Sequence, residues 1–479
     1  MKRIITMLLA LCLAFSLAAC TGEVAGESNG NLGETLPAGG FRVGFGRADI
    51  TPKESIPMAS YGNPLNRMSE GLFTYLYINA VAVNDGEKTL LLLTIDHSWF
   101  SNVLRNPVLE QIKDIYGIPE EYILFQGTHT HAAPNAGSVT PAMSRENDRT
   151  VKGVMKAIDA AMKDLKPAEI YVGSVMTKNM NFVRRYIMDD GSLTGDNFPG
   201  TGTKIVGHES EADGEMQIMR FAREGGKDIV ICNFQAHPHL EGKNPYLSYQ
   251  TVGSTRTAVE ELLDVHCVCW QGAAGNINTH SRITEENLFT SDDRELYGEA
   301  MAQYVASAYE GLTKVQSGPI KVSCQTLSLK VDHSEDDLLG VASKVHQLWD
   351  STSNSATAMA VAGDAPLYSV FHASAIVRKA SYGPTLDMTI SAFSFGDVSG
   401  VIVPYEMFDT NGMQIKSQTP FAKTFICGYS NMGSGGQGYM PDKEAYKNIG
   451  YEVNNCNFEI GTAELLVDAY LQMLNELHG

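Results

Sequence analysis

The sequence has no C-x-x-C pair. Beyond Cys12 and Cys20, its cysteines are scattered at positions 232, 267, 269, 324, 427 and 456. That spacing argues against a zinc knuckle. Most of the six lie in apolar runs such as IVICNF and VHCVCW, where a buried free thiol is the commoner state. There is no Walker A motif and no G-x-G-x-x-G directly at the end of an apolar strand, which removes the common nucleotide-binding readings. No G-x-S-x-G sits at a strand-to-helix turn, and Gly433-Ser434-Gly435 lies in a glycine run, so a serine hydrolase lacks its nucleophile mount. Basic residues are in deficit, with 36 Lys+Arg against 55 Asp+Glu. Counted after Cys20 the balance is 34 − 55 = −21. This charge argues against nucleic acid or an anionic membrane surface as the main partner. No internal repeat occurs, and the one long apolar run, Ile4 to Ala19, falls short of the roughly 20 residues of a permanent membrane span.

That run follows Lys2 and Arg3 and ends in Leu17-Ala18-Ala19-Cys20, the pattern of a secretory signal. A cysteine directly after small residues resembles a bacterial lipoprotein lipobox. The expectation is a signal peptide over 1–19, a lipidated Cys20, and a protein held outside the cytoplasm on a bacterial membrane by that anchor. Loss of the protein from the membrane fraction in Cys20→Ser checks this; unchanged lipid labelling and fractionation would contradict it. Residues 21–40, TGEVAGESNGNLGETLPAGG, have almost no bulky apolar side chain and read as a tether. A folded region over 41–479 then remains, about 440 residues, which is large for one core and implies an elaborated domain or two joined ones.

Apolar, β-branched runs predict strands at Lys88–Ile95, Tyr122–Gln126, Ile229–Phe234, Val265–Trp270, Met388–Phe395, Gly400–Val403 and Thr424–Gly428. Helical periodicity predicts Val103–Tyr116, Thr150–Leu165, Ser254–Leu263, Leu296–Tyr309, Asp336–Trp349 and Ala463–Leu477. Residues 185–215 and 409–422 read as loops. The alternation predicts an α/β fold with a mixed or largely parallel sheet flanked by helices.

Polar clusters follow directly on the apolar runs: GTHTHAAP after YILFQ, QAHPHLEG after IVICNF, QGAAGNINTH after VHCVCW, PYEMF after GVIV, and YSNMGSGGQGYMP after TFICG. Ligands of open α/β sheets bind outside the carboxyl ends of the strands, so five such clusters can converge on one pocket. His129 and His131 are two apart and share a side of an extended segment. They suit paired metal ligands or one ligand and one acid/base; H-x-H alone is a weak signal. His237-Pro238-His239 gives a second pair on a stiff mount. Glu406, in VPYEMF, offers a carboxylate, or simply caps a helix. Two or three histidines with one carboxylate make a typical catalytic zinc set with a position open for water, and such water has a pKa near 7.

The order of motifs resembles the neutral/alkaline, non-lysosomal ceramidase family, in its catalytic domain: FRVGFGRADITP, MASYGN, TIDHSWF, GTHTHAAP, NFVRRY, NFQAHP, GAAGNIN, VPYEMF and GYMPDKEAY followed by GYE, spread from about residue 41 to 475. The resemblance implies one Zn2+ held by His129, His237, Glu406 and Tyr439. It implies Tyr451 as the group assisting the transition state, His131 beside the metal, and Arg184 or Arg185 near the scissile amide, with Arg185 preferred. It also implies hydrolysis of an N-acyl lipid such as ceramide by zinc-bound water. Two positions depart from the family: its GDVSPN serine is Asn278 here, and its aspartate is Asn276. Asparagine donates to an oxyanion but is no nucleophile, so the substrate-facing wall differs while the ligand set is kept. The competing class is a surface lipoprotein that binds a ligand without turnover; such a module has no need of the full ligand set.

Overall fold

The computed structural model describes residues 40–432 and 438–479. The signal, tether and Cys20 readings, and the glycine run at 433–437, lie outside the described residues. The first half of the fold runs β1 (Arg42–Asp49), β2 (Tyr77–Asn84), β3 (Thr89–Ile95), α1 (Asn102–Tyr116), β4 (Ile123–Gly127), α2 (Pro141–Lys163), β5 (Lys166–Met176), β6 (Glu215–Arg223), β7 (Ile229–Phe234), α3 (Gln250–Leu263), β8 (His266–Gln271) and α4 (Arg294–Tyr309). The second half adds β9 (Ile320–Lys330), α5 (Leu339–Thr352), α6 (Val370–Ala380), β10 (Thr385–Phe395), β11 (Val398–Ile402), α7 (Asp409–Gln418), β12 (Lys423–Cys427) and α8 (Thr462–His478).

The large sheet has the order β8-β7-β6-β5-β1-β2-β3-β4, with Thr313–Val315 added beside β5. It is mixed: β3/β4 and β7/β8 run parallel, and the other pairs are antiparallel. A second sheet, β9-β10-β11-β12, is antiparallel except for the parallel pair β11/β12. Side chains alternate across each strand, so one face of the large sheet packs on α1 and α2 and on α3 and α4. The other face meets the second sheet through Val43, Phe45, Leu92, Phe221, Trp270, Phe393 and Phe425. Helix α8 covers the far side of the second sheet. The result is a four-layer αββα sandwich, in which each fully buried Leu, Ile or Phe contributes about 1.5–3 kcal/mol.

Strand β1 escapes sequence reading because its glycines weaken strand propensity, yet packing requires them. A Cβ on Gly44 would sit 2.0 Å from Ala161 O, and one on Gly46 2.0 Å from Ala157 O. Helix α2 therefore lies directly on the strand backbone. Two loop expectations are corrected. Residues 409–418 form α7, whose Gly412 fits against Ala273 and whose Asp409, Asn411 and Ile415 are buried, so tertiary packing overrides weak helix propensity. Residues 185–215 hold a small sheet of Arg185–Met188, Leu193–Gly195 and Ile205–His208.

The three parallel pairs matter for function because their carboxyl ends meet. Gly428 N donates to Gln271 O (2.9 Å), Gly272 N to Phe234 O (2.8 Å), Asn431 N to Phe125 O (2.8 Å) and Val403 N to Cys427 O (2.9 Å). The Gln126 amide spans the gap, donating to Gln271 O at 3.1 Å and Gly428 O at 2.9 Å. The ends of β4, β7, β8 and β12 are thus tied into one platform that carries the polar clusters.

Candidate metal centre

His129 leaves the end of β4 in the left-handed region, at φ 63, and Tyr429 does the same after β12, at φ 54. Such backbone costs of order 1–3 kcal/mol in a non-glycine residue and persists where surrounding structure over-determines it. Here it turns both rings into the centre, where they stack at 3.9 Å and 25°. His129 Nδ1 donates to Ser98 O at 3.0 Å, and His237 Nδ1 donates to Ala274 O at 2.7 Å. Each bond fixes the tautomer and leaves Nε2 with a free lone pair, the support that metal-ligating histidines use.

Those lone pairs converge. His237 Nε2 lies 3.1 Å and His129 Nε2 3.7 Å from Glu406 Oε2. His131 Nε2 lies 3.2 Å from His129 Nε2, and one nitrogen from each of the three histidines falls within 4.8 Å of the others. His131 therefore belongs to the same histidine cluster as the two expected ligands. Burial pushes the His129 imidazole down to about 3 and the His237 imidazole well below its ordinary value, so both rings stay neutral. Burial raises the Glu406 carboxyl to about 7, with Arg184 and the Tyr439 hydroxyl pulling it back. Glu406 Oε2 finds no hydrogen-bond donor among the described residues. A buried carboxylate oxygen without a donor, facing imidazole lone pairs, is short of a positive partner. A divalent cation of the zinc class fits that deficit, since imidazole nitrogen and carboxylate oxygen are its usual ligands.

Tyr439 pairs with Glu406 across a short parallel bridge, which sets the two side chains at the same centre. Tyr451 is 5.5 Å from the Tyr439 ring, and burial pushes its hydroxyl up to about 12. Asn278 bridges to the His237 backbone and donates from Nδ2 to Asp196 Oδ2 at 3.2 Å. Asn276 faces away from the centre and pairs with Asp409 at 2.7 Å, anchoring the start of α7.

Of the two arginines, the structure places Arg184 at the site, which corrects the preference for Arg185. The Arg184 guanidinium lies 5.3 Å from the Tyr439 ring centre and 5.9 Å from that of Tyr451. Its Nε donates to Glu452 at 2.8 Å and its Nη2 to Gly275 O at 2.8 Å. Neighbouring residues on an extended chain point to opposite sides. Arg185 accordingly reaches away, pairing with Glu209 and donating to Asn448 O at 2.7 Å and Ala445 O at 3.0 Å. Sequence reasoning also missed Tyr429, Glu452 and Asp196. Glu452 stands next to Tyr451 in the GYE motif, Tyr429 opens the polar cluster after TFICG, and Asp196 carries no sequence signal.

Neutral imidazoles and a carboxylate converge at the strand ends of a mixed α/β sandwich, and the three histidines form a buried group that could hold a metal ion. Residues 41–268 match the family model described as neutral/alkaline non-lysosomal ceramidase, N-terminal. It is 24% identical over 200 residues to the neutral ceramidase of Pseudomonas aeruginosa, covering 39% of this chain and 28% of that protein. It is 26% identical over 155 residues to neutral ceramidase 3 of Arabidopsis thaliana, covering 29% and 21%. The sequence match thus spans about a quarter of the length of these relatives. The fold is similar to a solved neutral ceramidase from Pseudomonas aeruginosa, with TM-score 0.68 and 16% identity, covering 92% of this chain and 74% of that one. It is equally similar to a ceramidase complexed with C2, at TM-score 0.68 and 75% coverage of that chain.

Proposed function

We propose that the protein is a zinc-dependent hydrolase of N-acyl amides, with a ceramide-type lipid as the leading substrate. One observation carries this reading: the lone pairs of His129 Nε2 and His237 Nε2 converge on the donorless Oε2 of Glu406. In the reaction, water adds to the amide carbonyl carbon, the C–N bond breaks, and a carboxylate and an amine leave. His129, His237, Glu406 and Tyr439 would hold the ion, which supplies a Lewis acid and lowers the pKa of its water. The rest is done by the chain's own groups. Tyr451, protonated at neutral pH, donates toward the oxyanion that develops on the carbonyl, and the buried Arg184 charge stabilises it from behind. Glu452 and Gly275 O fix the direction of that guanidinium. His131, whose Nδ1 has no partner among the described residues, would carry a proton from the attacking water to the departing nitrogen.

The test is release of fatty acid from a panel of N-acyl lipids and simple N-acyl amines by the purified protein. Turnover should stop on chelation and return with added zinc. Turnover that survives complete metal removal, or none on any member of the panel, would overturn the proposal.

A further inference from the structure

Asp196 lies outside every motif in the sequence, yet the fold brings it to the centre. Gly195 and Phe198 exchange backbone hydrogen bonds of 3.0 and 3.3 Å, so Asp196 and Asn197 form the tip of a tight hairpin. Thr194 Oγ1 adds a bond to Phe198 O at 3.1 Å. Asn197 takes φ 52, a conformation asparagine tolerates at the third position of a turn. The tip therefore holds Asp196 in a set direction. Its Oδ2 accepts from Asn278 Nδ2 at 3.2 Å and lies 3.7 Å from Arg184 Nη1. Both contacts fall on Oδ2. Among the described residues Oδ1 has no donor, and the side chain is 34% exposed. A charged acceptor thus stands open beside the groups placed around the scissile amide.

The same hairpin walls a cavity of about 450 Å3, with Phe198 and Pro199 on one side and Met359, Tyr368, Val370 and Phe371 among the residues opposite. Phe371 meets the Tyr451 ring edge-on at 5.8 Å. A carboxylate acceptor, the reacting centre and an apolar recess are therefore neighbours. A substrate matching all three carries an O–H or N–H donor and a hydrocarbon chain on the same half of the amide.

We propose that Asp196 is a specificity-determining residue that accepts, through Oδ1, a hydrogen bond from a donor next to the scissile nitrogen on the amine half of the substrate, whose chain enters the cavity beside Phe371. This rests on the proposed amide hydrolysis. In Asp196→Asn the carbonyl oxygen stays toward Asn278 and Arg184, so an N–H group replaces the open acceptor. Lost pairing of this kind discriminates by roughly 10- to 100-fold.

The experiment uses zinc-supplemented full-length protein and two long-chain N-acyl amines, one with a hydroxyl on the carbon adjoining the amide-bearing carbon and one without. Asp196→Asn should lose roughly 10- to 100-fold in kcat/KM on the hydroxylated substrate, mostly through KM, with metal content unchanged. It should lose little on the other, and Asp196→Glu should recover part of the difference. Equal losses on both substrates, or none on either, would overturn the assignment. Calorimetric binding of the free long-chain 2-amino alcohol needs no turnover and separates the two readings. Wild type that binds it more tightly than Asp196→Asn, yet cleaves neither amide, supports Asp196 and overturns the hydrolase reading. Equal binding by both proteins overturns Asp196.

Discussion

Glu406→Ala is expected to abolish both zinc retention and turnover, lowering kcat/KM by at least about 10³, while the fold survives. The magnitude follows from the several kcal/mol of transition-state stabilisation that a catalytic metal supplies, at 1.36 kcal/mol per factor of ten. The selectivity follows from geometry. Glu406 Oε2 is a buried acceptor with no donor among the described residues, and removal of the side chain takes a partner chiefly from the Tyr439 hydroxyl. What disappears is the carboxylate on which His129 and His237 converge at 3.7 and 3.1 Å. Metal analysis, kcat/KM and a thermal melt on the same preparation check the three parts. A Glu406→Ala protein that keeps both zinc and rate would show that the ligand set is wrong.

The second large effect separates two adjacent arginines. Arg184→Gln should cost about 10²–10³ in kcat with zinc still bound, the usual loss on removing one group that stabilises a developing oxyanion. The pocket should keep its shape, because Glu452 retains Arg185 as a charge partner at 3.5 Å. Arg185→Gln should behave in the opposite way. Its fully buried guanidinium pairs with Glu209 and Glu452 and ties down Ala445 O and Asn448 O. Breaking a buried pair costs about 3–5 kcal/mol, so this variant should melt early while its folded fraction turns over normally. Steady-state kinetics corrected for active protein, with melting curves for both, decide it. Normal turnover in Arg184→Gln beside lost turnover in a stable Arg185→Gln would reverse the assignment.

The contrast between these arginines shows where sequence reasoning stopped. NFVRRY carries both residues, and spacing alone does not say which side of an extended segment faces the centre. Only the pairing of Phe182–Val183 with Ile277–Asn278, and the contacts beyond it, settle the direction. The histidine clusters were legible because they follow strongly apolar strands. Ile229–Phe234 has the bounds read from sequence, and the ends of β4, β8 and β12 shift by a single residue. The convergence of those ends on one platform follows from the strand-end rule, although most of the large sheet is antiparallel. Strand β1 stayed hidden because Gly44 and Gly46 serve the close approach of α2, a tertiary demand that local propensity does not encode. Helix α7 stayed hidden for the same kind of reason, its glycine and polar residues being buried against the second sheet and the Asn276 loop. Tyr429 and Asp196 became visible only in three dimensions. One is aimed by a left-handed backbone and the other by a hairpin tip, and neither device leaves a periodic trace in the sequence.

We propose that this histidine and carboxylate cluster holds a zinc ion. Elemental analysis of the full chain, purified without added metal or chelator, tests it most directly. About one zinc per chain is expected, falling to background when His129 and His237 are both replaced by alanine. Protein that is metal-free as purified, and that takes up no zinc on titration, would exclude zinc from this cluster.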